Sequence, residues 1–157
     1  MRQKNFFEFN FESLKHFLIK DLEIEEKKVS MRSKQIWQSI YKKGSFEINN
    51  LTTFPLKLRS KLNGLISLQK PKITNTQTSS DGTIKWLIKL FDGNEVECVY
   101  IPEKTRATLC ISSQVGCTLN CRFCHTGTQQ LVKNLSFTEI VNQVMIAKEQ
   151  INDWDEQ

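Results

Sequence analysis

Three cysteines stand close together in the stretch Cys117-Thr-Leu-Asn-Cys121-Arg-Phe-Cys124, which has the spacing Cys-x3-Cys-x2-Cys. A short apolar run, residues 107–111, and a polar turn, residues 112–116, precede it. Three thiolates this close can hold three corners of a cubane iron–sulfur cluster and leave the fourth iron without a protein ligand. Because such clusters are usually ligated by four cysteines, the spacing indicates a site that binds a further molecule from solution.

A structural zinc ion is the alternative explanation of the same cysteines. Structural zinc sites are tetrahedral and closed, and their ligands come as two separated pairs. A zinc site here would need His125 or Cys110 as a fourth ligand, and both stand beside the triplet in the chain. The spacing therefore favours the cluster, with a zinc-stapled binding module as the competing hypothesis.

The composition is ordinary for a globular protein, with 39% hydrophobic and 25% charged residues. No apolar run approaches the length of a membrane span, and residues 1–8 lack the apolar core and cleavage site of a signal peptide. Five cysteines, an odd number, indicate metal ligation in a reducing compartment and not a disulfide framework. The sequence thus predicts a cytoplasmic protein without membrane contact.

The net charge of +5 is unevenly distributed. Residues 1–74 hold 15 Lys and Arg against 7 Asp and Glu, whereas residues 75–157 hold 7 against 10. A basic segment joined to an acidic one that carries cysteines suggests a polyanion-binding module attached to a chemical module. Lysines that only solvate helix surfaces are the simpler explanation of the charge taken alone.

Three helices are predicted in the basic segment from apolar residues at helical spacing. Asn10 is placed to cap the first, Gly44 to stop the second, and Pro55 to start the third. The basic side chains predicted to project outward from the third helix are Lys57, Arg59 and Lys61. Such a bundle could bind phosphates, contacts that position a protein without reading sequence.

Two strands, residues 83–91 and 95–101, are predicted on either side of the hairpin signature Asp92-Gly93-Asn94. Alternation along the second strand separates Cys98 from Glu97, and Cys98 is predicted to be a buried filler. A third strand, before the cysteine triplet, is predicted at Leu109–Ser113, and Ser136-Phe-Thr-Glu139 has the form of a capping box that opens a helix. The apolar residues predicted on the buried side of that helix are Ile140, Val141, Val144, Met145 and Ile151.

Three sequence segments around the triplet indicate a family more specifically than the spacing of the cysteines does. They are Glu97-Cys-Val-Tyr-Ile-Pro102, Arg106-Ala-Thr-Leu-Cys110-Ile-Ser-Ser-Gln-Val-Gly-Cys117 and Cys124-His-Thr-Gly-Thr-Gln-Gln-Leu-Val-Lys-Asn-Leu135. With the aromatic Phe123 before the last cysteine, they resemble the radical S-adenosylmethionine (SAM) dual-specificity 23S rRNA and tRNA adenine-C2 methyltransferases. The resemblance covers nearly the whole chain.

The resemblance implies a fold class of α+β leading into α/β. Residues 1–69 would form a basic helical RNA-binding domain, residues 70–102 a β-hairpin connector, and residues 103–157 the start of the radical SAM core domain. That start would be the first β/α unit of a truncated partial (βα)6 barrel, with the cysteine loop at the carboxy-terminal end of its strand. The chain is therefore expected to be a monomeric amino-terminal part of a longer enzyme and inactive alone.

The resemblance also assigns roles to residues. The expected ligands of a [4Fe-4S] cluster, whose open iron binds SAM, are Cys117, Cys121 and Cys124. Phe123 would contact the cofactor, and Glu97 would accept the proton from adenine C2. Cys110 would act as the resolving thiol, which frees the RNA from a covalent adduct with the enzyme, and its thiolate would be the reactive form.

A radical route fits the target atom, because adenine C2 is electron-poor and is not the nucleophile that ordinary SAM methylation requires. The implied partners are 23S rRNA, tRNA and an electron donor such as flavodoxin or ferredoxin. Two alternatives stay open: a relative in the same family that methylates C8, and a zinc-stapled RNA-binding module without enzymatic activity.

Overall fold

The computed structural model describes residues 3–117 and 130–154. These fall into two compact units, one of residues 3–69 with 148–154 and one of residues 70–147 without the undescribed stretch. Within the described ranges, no helix is long and apolar enough to span a membrane.

The first unit consists mainly of three helices: α1 (Phe11–Lys20), α2 (Glu26–Tyr41) and α3 (Leu56–Leu65). Two 3₁₀ turns (Phe6–Glu8 and Ile48–Asn50) and a short parallel pair, β1 (Lys4–Asn5) with β2 (Ile66–Ser67), complete it. The predicted cap is confirmed, since the Asn10 side chain accepts from the Ser13 N–H at 2.8 Å. Gly44, with a φ of +63°, follows α2 as predicted.

Aromatic side chains fill the core of this unit. Their ring centroids lie 4.6 Å apart for Trp37 and Tyr41 and 5.0 Å apart for Phe9 and Phe17. Burial raises the pKa of Tyr41 to about 12. The prediction that Trp37 and Tyr41 pack in the core is confirmed.

The outer face of α3 differs from the prediction at one residue. Arg59 is partly buried and donates from Nη1 to the backbone carbonyl of Asn49 at 2.6 Å, so its guanidinium fixes a neighbouring turn. Lys57 is exposed as predicted, and Lys61 is exposed and lies 3.2 Å from the Glu23 carboxylate. A guanidinium group presents several N–H donors and can therefore bind backbone carbonyls. The prediction treated Arg59 only as a charged residue and so placed it on the outer face.

The second unit is organised on an antiparallel sheet in the order β3-β4-β5-β6. Its strands are β3 (Lys72–Thr78), β4 (Ile84–Lys89), β5 (Glu95–Pro102) and β6 (Ala107–Cys110). The hairpin at Asp92-Gly93-Asn94 is confirmed, with Gly93 at a φ of +90°. The strand predicted before the cysteines is shorter than expected, and it pairs antiparallel with β5 where a parallel barrel strand was expected. The division into three segments stays a prediction.

Beyond the sheet, β7 (Gln114–Val115) pairs antiparallel with β8 (Lys133–Asn134), and α4 (Phe137–Ile151) follows. The capping box is confirmed, since Glu139 accepts from the Ser136 N–H at 2.8 Å and its own N–H donates to Ser136 Oγ at 3.3 Å. Of the residues predicted on the buried side of α4, Met145 is buried and the other four are half-buried. The residues buried there are Asn142, Gln143, Met145, Ile146 and Ala147.

Lys133 joins two carboxylates, those of Asp92 in the β4–β5 turn and Glu139 in α4. Hydrogen bonding from Lys133 lowers the pKa of Asp92 from 3.8 to about 2. Partial burial alone would raise the pKa of Glu139, but hydrogen bonds from Lys133 and Ser136 outweigh it and lower that pKa.

We expect Lys133→Met to weaken the acid sensitivity of this unit. A carboxylate whose pKa is depressed in the folded state stabilises the protein above its ordinary pKa, and that stability is lost as pH falls through the folded pKa. For Asp92 the window runs from pH 3.8 down to about 2. The free energy of unfolding, measured with urea across this window, should fall less steeply with decreasing pH for Lys133→Met than for the wild type. The exposed-lysine control Lys89→Met should fall like the wild type, and an identical slope for Lys133→Met would contradict the linkage.

Candidate functional site

The four-stranded sheet has one buried face and one open face. The buried face carries Trp86, Ile88, Val96 and Cys98, which are at most 4% exposed. Burial, and secondarily the charge of the nearby Cys110 thiolate, raise the pKa of Cys98 to about 11. The prediction that Cys98 is a buried filler is therefore confirmed.

The open face brings two of the predicted site residues together. Cys110 on β6 lies opposite Val99 on β5, and Glu97 stands two positions from Val99 on the same side of that strand. Both Glu97 and Cys110 are exposed. The Glu97 carboxylate lies 3.0 Å from Lys85 Nζ, and its backbone carbonyl accepts from Ser112 Oγ at 2.8 Å.

The segment that carries the cysteine triplet leaves and rejoins the fold through one short ladder. Val115 pairs with Lys133, and Gln114 Nε2 donates to Asn134 Oδ1 at 2.8 Å. Two further backbone bonds, Val132 N–H to the Val115 carbonyl and Leu135 N–H to the Ser113 carbonyl, are each 2.9 Å long. We call residues 113–116 with 130–135 the stem of the cysteine loop.

Gly116 closes the stem immediately before Cys117. Its φ is +74°, and a Cβ added to it would lie 2.0 Å from the backbone oxygen of Gln130. Only glycine fits both the left-handed backbone and this approach. The stem therefore holds the two ends of the loop, residues 117 and 130, close together.

Cys117 lies at the end of the stem and is partly buried. The other proposed ligands, Cys121 and Cys124, and Phe123 lie outside the described residues. Among residues 3–117 and 130–154, three or more potential metal ligands do not come together. The donor set of the triplet is nevertheless all thiolate, which is the chemistry that iron–sulfur clusters and zinc both accept.

Gln143 supports the stem and was missed by sequence reasoning. It is fully buried on α4, where its Oε1 accepts from the Ser112 N–H at 2.8 Å and its Nε2 donates to the Ser112 carbonyl at 2.9 Å. The side-chain amide thus continues the backbone pairing just past the end of β6. Two adjacent amides, Asn142 and Gln143, within the otherwise apolar residues 140–147 were the available signal, because most buried amides have hydrogen-bond partners.

The first unit contains a cleft of about 810 Å³ beside the carboxy-terminal end of α2. Its lining is dominated by amide and hydroxyl side chains: Gln35, Gln38, Ser39, Ser45, Asn49, Asn50, Thr52 and Thr53. Lys43, Glu47 and Glu149 add charges of both signs, so the cleft is polar but not strongly basic. It has none of the thiol chemistry of the second unit.

Comparisons with known proteins identify the family. A dual-specificity RNA methyltransferase RlmN from Rhodopseudomonas palustris (strain BisA53) is 51% identical over 130 residues, which are 79% of this chain and 32% of that protein. A second RlmN, from Bradyrhizobium sp. (strain ORS 278), is 46% identical over 140 residues, 85% of this chain and 35% of that protein. The chain belongs to the family of these dual-specificity RNA methyltransferases.

The chain spans about a third of the length of the curated relatives that it matches. The crystal structure of a radical SAM methyltransferase from Sphaerobacter thermophilus superposes with a TM-score of 0.80 at 29% identity, over 95% of this chain and 42% of that one. No protein-family model matches the chain. The α+β fold is thus that of the corresponding part of a radical SAM methyltransferase.

Proposed function

We propose that this chain provides the amino-terminal part of a radical SAM methyltransferase that acts on C2 of adenine in 23S rRNA and tRNA. The observation that carries the proposal is the stem, which leads directly to Cys117 and whose strand β7 lies beside β5, the strand that carries Glu97. The similarity in sequence to RlmN relatives and the likeness in fold to a radical SAM methyltransferase support it. We further propose a cytoplasmic monomer that is inactive without the remaining length found in its relatives.

Cys117, Cys121 and Cys124 are the residues that would hold a [4Fe-4S] cluster, with Phe123 beside its SAM. Bound there, the cluster would supply the electron, received from flavodoxin or ferredoxin, that starts the radical chemistry of SAM. Gly116 and Gln143 serve this site from outside it, because they fix the chain where the loop begins. The basic first unit would bind the RNA backbone, with exposed Lys57 among its contacts.

On the open face, Glu97 would accept the C2 proton and Cys110 would release the product. In this family a further cysteine, which the resemblance places outside residues 1–157, carries the methyl group as a methyl-cysteine intermediate and then the RNA adduct. The Cys110 thiolate would form a disulfide with the sulfur of that cysteine. The carbon–sulfur bond then breaks, its electron pair goes to the carbon, and that carbon takes up a proton to become the methyl group. The exposure of both side chains on one face supports this division of roles.

A chimera tests the proposal directly. Residues 1–157 are joined to the remaining length of the R. palustris relative, and methyl transfer to adenine in RNA is measured with labelled SAM. We expect the chimera to methylate C2, Cys110→Ser to leave RNA covalently attached, and Glu97→Gln to stall before the proton is lost. Cys98→Ser, which alters only the buried face, should turn over like the parent chimera.

Two results would contradict the proposal. One is a chimera with an intact cluster that leaves adenine C2 unmethylated, which includes methylation at C8. The other is a Cys110→Ser chimera that releases methylated RNA as fast as its parent.

A further inference from the structure

The open face carries an ion pair whose worth for stability is small. Lys85 on β4 and Glu97 on β5 meet at 3.0 Å through Oε1 of the carboxylate, and their side chains are 40% and 47% exposed. Exposed pairs of this kind contribute about 0–1 kcal/mol because water screens them. The pair does, however, restrict the directions in which the Glu97 carboxylate can point.

The strand register places Lys85 in the same row as Cys110. Lys85 lies opposite Val99, and Val99 lies opposite Cys110, so the three residues cross β4, β5 and β6 on one face. Two strand spacings separate the Lys85 and Cys110 backbones by about 10 Å. Lys85 and Cys110 therefore stand on either side of Val99 in one row, with Glu97 in the adjacent row.

Charge on this face acts on both proposed roles. A thiolate is the reactive form of cysteine, and an unpaired carboxylate next to it would repel it and any anionic group that approaches. Lys85 removes that repulsion, since it neutralises Glu97 and adds a cation in the Cys110 row.

We propose that Lys85 is a positioning residue for the proposed transfer: it fixes the Glu97 carboxylate and adds a positive charge to the row of Cys110 on the open face. The inference rests on the proposed function for the roles of Glu97 and Cys110. The contacts and charges that carry it belong to this chain alone.

The test measures the local charge at Cys110 on the intact, reduced chain in low salt, without metal or RNA. Alkylation by anionic iodoacetate and by neutral iodoacetamide is followed at Cys110 by fragment-ion mass spectrometry. The rate with iodoacetate divided by the rate with iodoacetamide is then compared between variants. We expect Lys85→Met to lower this ratio about threefold, as charges about 10 Å apart still interact at low ionic strength. Lys85→Arg should restore the ratio, and Glu97→Gln should raise it.

Lys89→Met is the matched control, because Lys89 points from the same face of β4 but lies four positions further along the strand. Its ratio should equal that of the wild type, whereas unfolding of a variant would raise both alkylation rates together. An unchanged ratio in Lys85→Met, or an equal fall in Lys89→Met, would overturn the inference. Neither result would bear on methyl transfer by the chimera, so the two proposals fail separately.

Discussion

Gly116→Ala is expected to destabilise the second unit by at least about 3 kcal/mol, because it combines two penalties at one position. A residue with a Cβ at a φ of +74° loses about 1–2 kcal/mol in the left-handed region. The new methyl group would also lie 2.0 Å from the Gln130 carbonyl oxygen, a backbone atom that moves only if the stem opens. Chemical denaturation followed by circular dichroism measures the change.

Two other glycines separate these penalties. Gly93 has a φ of +90°, and a Cβ added there would have no atom within 4 Å, so Gly93→Ala should cost only about 1 kcal/mol. Gly64 lies within α3 with the same free space, and Gly64→Ala should stabilise the chain by about 0.5–1 kcal/mol. If Gly116→Ala behaved like Gly93→Ala, the close approach in the stem would be refuted.

Gln143→Leu should lower the free energy of unfolding by about 2–5 kcal/mol, because it leaves two backbone groups without hydrogen-bond partners. The N–H and the carbonyl of Ser112 would both lose the bonds of 2.8 and 2.9 Å that the amide provides in a part-buried setting. Amide hydrogen exchange at Ser112 should accelerate by more than the loss of global stability explains, because the protection is local.

Asn142 gives the matched control from the next position on α4. It is also fully buried, but neither atom of its amide finds a hydrogen-bond partner within the described parts of the chain. Asn142→Leu therefore removes an unsatisfied group and should leave stability unchanged or raise it by about 1 kcal/mol. Equal losses in Asn142→Leu and Gln143→Leu would show that the helix tolerates no leucine there, and the role of Gln143 would be refuted.

Local signals predicted most of the secondary structure. The Asn10 cap, the hairpin at residues 92–94 and the capping box at Ser136 each depend on neighbours a few positions away, and each is present. β3 was not predicted, because a strand at the sheet edge whose residues are all exposed except Ile73 lacks the alternation of a half-buried strand.

Contacts between residues far apart in the sequence could not be predicted from local patterns. That Gln143 binds Ser112, 31 positions away, depends on how α4 packs and not on any local pattern. The ion pair of Lys85 with Glu97 follows from strand register, which a turn signature fixes only approximately. The resemblance supplied the proposed roles of Glu97 and Cys110, and the structure adds that they share one face.

The central claim is that the triplet holds a cluster with one iron open to SAM. The most direct measurement is Mössbauer spectroscopy of the chain reconstituted with iron and sulfide without oxygen, before and after SAM is added. We predict a cubane with about four irons per chain, one of which changes its signal with SAM, and loss of the cluster in Cys117→Ser but not in Cys98→Ser. A bound zinc ion with no iron or sulfide, or a cubane in which every iron ignores SAM, would contradict the account.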